Sequence, residues 1–100
     1  MICKIYNKNG SKELYNFEIT HFSERLIDGV LTLSCSFPIE SMYGDDSLKK
    51  FVNLSKEDIG KIVFINKNAI VGEFLVYKRI SSVSTDYSPG EREGIVLFRQ

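Results

Sequence analysis

Residues 30–38 read VLTLSCSFP, and this stretch decides the fold class. Its apolar residues alternate with hydroxyl residues, namely Leu31, Leu33, Cys35 and Phe37. An apolar period of two is typical of a β-strand with one buried face, so we expect all four side chains to be buried. Pro38 has no N–H for a sheet ladder and is predicted to end the strand or to lie at an edge.

The same period lies upstream of this strand, where Tyr15, Phe17 and Ile19 alternate with polar residues. Between the two apolar patterns stands the pair Asp28-Gly29, which favours a tight hairpin turn because both residue types tolerate positive φ. We therefore predict that residues 14–37 form one β-hairpin. A first strand over Ile2 to Tyr6, followed by a turn at Asn9-Gly10, would extend it to a meander of three strands.

After Pro38 the pattern changes to short polar and helical segments. We expect a loop over residues 41–46, then a short helix from Leu48 to Val52 that Asp46 or Ser47 caps. A second helical turn over residues 55–58 would end at Gly60.

The second half of the chain returns to strand chemistry. Residues 62–65 and 69–71 flank Asn66-Lys67-Asn68 and predict a second hairpin. The run of residues 72–85 favours strand structure, with Gly72 as a bulge or bend. The polar segment from Ser84 to Glu93 is predicted to be a mobile surface loop before a closing strand, residues 94–99.

These elements predict a single β-rich domain over residues 1–100. With six to seven strands and one short helical insert, the fold class is mostly β, as an antiparallel barrel or sandwich. The 100 residues, 43% hydrophobic and 26% charged, match one ordinary globular domain. Thirteen basic and thirteen acidic residues give zero net charge, which disfavours nucleic-acid binding and favours association with proteins.

Targeting signals are absent from the pattern. The N-terminus carries no secretory apolar run, and no stretch approaches the ~20 apolar residues of a membrane span. We therefore expect a protein that stays in the compartment where it is made and binds no membrane. Cys3 and Cys35 lie in neither a CxxC motif nor the neighbourhood of a histidine, so they are predicted to be free thiols.

The residues that carry chemistry form no recognisable constellation. His21 is the only histidine, and no GxSxG nucleophile motif is present. The acidic pairs Asp45-Asp46 and Glu57-Asp58 lack the spacing of a calcium loop and fit helix capping better. We therefore expect no enzymatic activity, no cofactor and no metal site.

Two adjacent basic pairs lie beside aromatic residues, Lys49-Lys50 next to Phe51 and Lys78-Arg79 next to Tyr77. Lysines beside stacking aromatics are typical of an oligonucleotide-binding barrel, which is one possible function. Strand alternation is the simpler interpretation, with Tyr77 and Arg79 on one face of a strand.

Residues 1–10 and 26–38 resemble the N-terminal segment of phage and prophage tail hub proteins, including prophage endopeptidase tail proteins. In that family a first strand ends in an Asp/Asn-Lys-Asn-Gly turn, and a later strand carries a Gly-x-Leu/Tyr-x-Leu-x-Phe-x-Tyr-Pro pattern that residues 29–38 resemble. Residues 60–63 and 72–77 are similar to later strands of the family. Its members continue into further domains, and their enzymatic activity lies outside this segment. The resemblance therefore implies a hub-like domain without catalytic residues.

Together these observations predict a structural interaction module of a phage tail hub or baseplate, with further copies of itself or other tail proteins as partners. Such a protein is expected in the host cytoplasm or the virion. A small phage-borne or bacterial inhibitor that binds a host protein is the alternative. The residues expected to contact a partner are Tyr87 and Arg92 in the polar segment, and Tyr77 and Arg79 on the preceding strand. Tyr87 is the expected anchor because aromatic side chains carry much of the energy of interfaces.

Overall fold

The computed structural model describes the backbone of residues 1–52, 58–79, 84–88 and 91–100, and the side chains of residues 1–41, 43–52, 58–75, 77 and 93–100. In chain order the elements are β1 (Ile2–Tyr6), β2 (Glu13–Glu18), β3 (His21–Ile27), β4 (Val30–Pro38), α1 (Ser41–Gly44), α2 (Asp46–Val52), β5 (Asp58–Asn66), β6 (Ala69–Arg79), β7 (Ser84–Ser88) and β8 (Glu91–Arg99). The fold is mostly β, as predicted, with two consecutive short helices as its helical insert.

Every strand pairing is antiparallel. One sheet has the order β2-β1-β5-β6, and the second has the order β8-β4-β3 with β7 on the other side of β8. The two sheets meet where Lys78 and Arg79 of β6 pair with Arg99 and Phe98 of β8. Within the strands described, β2 and β3 end this path and do not pair with each other. The fold is therefore sandwich-like and is not a closed barrel.

Two tight turns join consecutive strands as predicted. Asp28 and Gly29 have φ of 52° and 76°, and Lys67 and Asn68 have φ of 49° and 67°. Positive φ at both central residues is the signature of the type I′ turn, whose twist matches that of the flanking strands. These two turns therefore determine the registers of the β3–β4 and β5–β6 hairpins.

The predicted hairpin over residues 14–37 is wrong. β2 pairs with β1, and a separate strand, β3, pairs with β4. The chain passes from one sheet to the other at Ile19 and Thr20, whose N–H groups donate to Met1 O and Ser36 O at 2.9 and 2.7 Å. The period-two pattern does not reveal β3 because six of its seven residues are exposed.

Buried side chains from both sheets form one core between them. Leu33, Cys35 and Phe37 have no exposed surface, as predicted, but Leu31 is only half-buried. Leu31 lies opposite the exposed Leu26, one pair from the hairpin turn. Among the residues whose side chains are described, sixteen hydrophobic ones are buried: Cys3, Ile5, Phe17, Ile19, Leu33, Cys35, Phe37, Leu48, Phe51, Ile59, Ile62, Val63, Phe64, Tyr77, Val96 and Phe98.

The helical insert differs from the prediction in its cap. A carboxylate oxygen of Asp45 accepts the Leu48 N–H at 3.1 Å, so Asp45 caps α2 and the predicted caps Asp46 and Ser47 are wrong. The predicted loop over residues 41–46 contains α1. Gly60 lies inside β5 and ends no helix. Of the predicted second helical turn, residues 55–57 lie outside the described residues.

The predicted loop from Ser84 to Glu93 is also wrong, because it is a β-hairpin. Tyr87 pairs with Arg92 and Ser88 with Glu91, so both β7 and β8 extend to within two residues of each other. The hydrogen bonds of a sheet are made by backbone groups. A polar segment can therefore form strands even though its side chains show no strand pattern. The predicted bulge is confirmed next to Gly72, since Val71 is the extra residue between two consecutive pairs.

Candidate functional site

His21, the only histidine, lies at the exposed start of β3 beside two hydroxyl groups. Its Nε2 is 3.3 Å from Ser36 Oγ, and its Nδ1 is 3.4 Å from Thr20 Oγ1. The Thr20 hydroxyl also donates to the Ser36 carbonyl at 3.0 Å. Ser36 is only 3% exposed, so the contact orients the imidazole but does not present a nucleophile to a substrate.

The two cysteines lie in opposite sheets, Cys3 in β1 and Cys35 in β4, and both are completely buried and free. Burial, with the neighbouring Cys3 thiol, raises the pKa of Cys35 well above its ordinary value. A thiol must ionise to act as a nucleophile or metal ligand, so the raised pKa disfavours both roles for Cys35 in the folded state. Within the described residues, no group of three or more His, Cys, Asp or Glu side chains is placed to hold a metal ion.

Tyr77 is not the surface residue that the sequence predicts. It is 2% exposed, and its hydroxyl donates a hydrogen bond to the Glu24 carboxylate across the two sheets. Burial in the first place, and the Glu24 carboxylate in the second, raise the pKa of Tyr77. Tyr77 is therefore a core residue in this domain, because β6 turns toward the second sheet there.

For the other residues predicted to contact a partner, the structure describes only the backbone. Tyr87 and Arg92 pair with each other in the β7–β8 hairpin, and Arg79 pairs with Phe98 at the junction of the two sheets. Their side chains lie outside the described residues, so their role in partner binding stays a prediction.

The basic pairs Lys49-Lys50 and Lys78-Arg79 lie on two different elements, helix α2 and strand β6. Lys49 and Lys50 are exposed in the last turn of α2, which packs against β2. Lys78 and Arg79 belong to the end of β6 that meets β8. Oligonucleotide binding across both pairs gains no support from this placement and stays a prediction.

The outer surface of β6 carries an apolar stripe that sequence reasoning missed. Ile70, Val71 and Leu75 are 64%, 48% and 56% exposed, and this part of β6 pairs with β5 alone among the described strands. Glu73 lies between them, and Leu75 is opposite Lys61, whose ammonium sits 4.4 Å above the centre of the Tyr6 ring. We call the surface formed by Lys61, Ile70, Val71, Glu73 and Leu75 the β6 face.

A second exposed apolar surface lies at the tip of the β3–β4 hairpin. Leu26 is 68% exposed and Ile27 is 43% exposed. A shallow hollow of about 190 Å³ adjoins the tip and is lined by Ile27, Asp28, Thr32, Leu97 and Arg99. Sequence reasoning missed this surface because it missed β3, and the only available signal was the pair of apolar residues just before the turn.

No family model matches the chain, and neither a curated protein nor a solved structure matches it. In the residues described, no helix is long and apolar enough to cross a membrane. The fold and surface define a small sandwich-like β domain with exposed apolar side chains on β3 and β6. The resemblance to tail hub proteins stays a prediction.

Proposed function

We propose that this chain is a non-enzymatic structural module that self-associates through its β6 face as a small component of a phage tail hub or baseplate. The observation that carries the proposal is the apolar stripe of Ile70, Val71 and Leu75, each about half exposed or more. Burial of one such side chain stabilises a complex by about 1.5–3 kcal/mol at most. A surface that places three of them together is typical of a protein interface.

Charge complementarity supports a second copy as the occupant of the β6 face. Glu73 is opposite Val63, two residues along β5 from Lys61, so an acid and a base share this face on diagonal positions. A two-fold arrangement of two β6 faces brings Glu73 of one copy near Lys61 of the other. Zero net charge means that no overall repulsion opposes this approach.

The chemistry of the other candidate groups supports a non-catalytic role. Ser36 beside His21 is buried, and both thiols are completely buried, so neither arrangement offers a reactive atom to a substrate. The tail assignment rests on the resemblance of residues 29–38 to the strand pattern of tail hub proteins. These residues comprise Gly29 of the turn and strand β4.

The test is light scattering coupled to size-exclusion chromatography across a series of protein concentrations. The natural chain is expected to increase in mass with concentration, and Leu75→Lys is expected to remain monomeric. Leu26→Lys is the matched control, since it adds the same charge at a more exposed leucine away from the β6 face. A natural chain that stays monomeric throughout contradicts self-association.

The tail assignment has its own test in the genes beside the coding sequence. Flanking tail-tape and tail-fibre genes support it. Flanking regulatory or defence genes contradict it and favour the inhibitor alternative.

A further inference from the structure

The two ends of the strand order differ in what covers them. At β2, the Asn16 N–H donates to the Ser47 hydroxyl of α2 at 2.9 Å, and Phe51 of α2 packs against Tyr15 and Phe17 with ring centres 5.4 Å apart. At the other end, β3 pairs with β4 alone among the described strands. Six of the seven β3 residues are exposed, and β3 is an open edge strand within the part of the chain that the structure describes.

The β3–β4 turn determines which backbone groups of β3 face this open edge. In a hairpin with a two-residue turn, the residues flanking the turn form a hydrogen-bonded pair, here Ile27 and Val30. Hydrogen-bonded pairs alternate with non-bonded ones, so Ser23 and Arg25 also bond to β4. The N–H and C=O groups of the remaining residues point away from β4, namely those of Phe22, Glu24 and Leu26.

The side chains of these three residues lie on one side of the strand and present an apolar, acidic, apolar sequence. Phe22 is anchored by stacking on Phe64, with ring centres 3.9 Å apart. Glu24 accepts the Tyr77 hydroxyl on one carboxylate oxygen, and Leu26 is 68% exposed. The edge is therefore rigidly held at its centre and apolar at its tip.

A second copy of the chain is a poor occupant for this edge. Two antiparallel β3 strands related by a two-fold axis keep the same side chains on the same face. The register that pairs all three outward-facing residues then puts Phe22 opposite Leu26 and Glu24 opposite Glu24. Like charges directly opposite each other destabilise an antiparallel pair, and such charges are a known protection of edge strands.

We infer that the β3 edge binds an extended segment of another protein, which adds a strand beside β3 and carries Lys or Arg opposite Glu24. Apolar residues of that segment would lie opposite Phe22 and Leu26. In strand addition the main-chain hydrogen bonds supply affinity and the alternate side chains supply specificity. This inference rests on the proposed role as a protein-binding module but concerns a surface separate from the β6 face.

The probe is the end-blocked peptide Thr-Leu-Thr-Lys-Thr-Leu-Thr, titrated into ¹⁵N-labelled protein and followed by NMR. A peptide concentration of about 1 mM is high enough to detect weak binding. At this concentration, hydrogen exchange of the Phe22, Glu24 and Leu26 amides with water is expected to slow by about tenfold. The Ser23 and Arg25 amides, already bonded to β4, are expected to be protected without peptide. The peptide with Glu in place of Lys is the matched control and is expected to bind more weakly.

Two protein variants separate the recognition from folding. Glu24→Gln keeps an oxygen that accepts the Tyr77 hydroxyl and is expected to remove the preference between the two peptides. Leu26→Pro is expected to abolish binding and to keep a dispersed spectrum, because the Leu26 N–H makes no bond to β4 and proline is tolerated at sheet edges. The Leu75→Lys variant, which tests self-association, is expected to bind the Lys peptide normally.

Two results would overturn the inference. One is unchanged exchange at Phe22, Glu24 and Leu26 with every peptide at about 1 mM. The other is protection of these amides that rises with protein concentration alone, which would show a second copy at the edge. Loss of self-association in Leu75→Lys with intact peptide binding would support both proposals and show that the two surfaces act independently.

Discussion

The hydroxyl of Tyr77 donates a hydrogen bond to the carboxylate of Glu24, and this contact joins β6 of one sheet to β3 at the edge of the other. Tyr77 is 2% exposed, and its ring meets the Phe74 ring edge-on with centres 6.1 Å apart. Burial and the nearby carboxylate both disfavour the phenolate, so the pKa of Tyr77 is raised.

This raised pKa makes the free energy of unfolding fall at alkaline pH. Below the unfolded tyrosine pKa of about 10, both states keep the proton. Above it the unfolded state loses the proton while the folded state retains it, so stability falls by about 1.4 kcal/mol per pH unit until the folded pKa is reached. Urea denaturation between pH 8 and about pH 11 is expected to show this loss, and Tyr77→Phe is expected to remove it. Identical pH profiles for the two proteins would contradict the assignment.

Gly94 in β8 lies opposite Phe37 of β4, and a methyl group at this glycine would overlap the Phe37 ring. Phe37 is completely buried and has no room to move. Gly94→Ala is therefore expected to destabilise the domain by roughly 1–3 kcal/mol. Gly44→Ala is the control, since no atom lies within 4 Å of the added group, and it is expected to change stability by less than about 0.5 kcal/mol. Equal effects of the two substitutions would show that the β4–β8 register is different.

Phe37 itself supplies a test of the core. Truncation to alanine removes a completely buried ring and leaves a cavity, so Phe37→Ala is expected to cost roughly 3–5 kcal/mol in chemical denaturation. Leu31→Ala, on the same strand face but only half-buried, is expected to cost clearly less. A loss below about 1 kcal/mol for Phe37→Ala would mean that the assigned strand face is wrong.

The cap of α2 can be assigned by a pair of substitutions. Asp45→Ala removes the oxygen that accepts the Leu48 N–H and is expected to lower the free energy of unfolding by about 1 kcal/mol. Asp45→Asn keeps an accepting oxygen and is expected to retain most of the stability. If Asp46→Ala were the more damaging change, Asp46 rather than Asp45 would be the cap.

The sequence by itself determined the features that depend on neighbouring residues. The strand from Val30 to Pro38 follows from strict alternation, and the turn at Asp28-Gly29 follows from residues that tolerate positive φ. The second turn lies within the predicted segment Asn66-Lys67-Asn68 between two apolar runs. The first strand over Ile2–Tyr6 is also confirmed at its predicted bounds. These signals are local, because turn chemistry and strand period need no knowledge of distant parts of the chain.

Only the tertiary structure decided the existence of β3, the burial of Tyr77 and the exposure of the β6 face. β3 lies at an edge, where exposed side chains leave no alternation to detect. Tyr77 lies where β6 passes from one sheet to the other, so its burial depends on strands far away in sequence. Leu26 and Leu75 are apolar but exposed. Whether such a side chain is buried depends on which sheet covers its face, and that is decided by how the two sheets pack together.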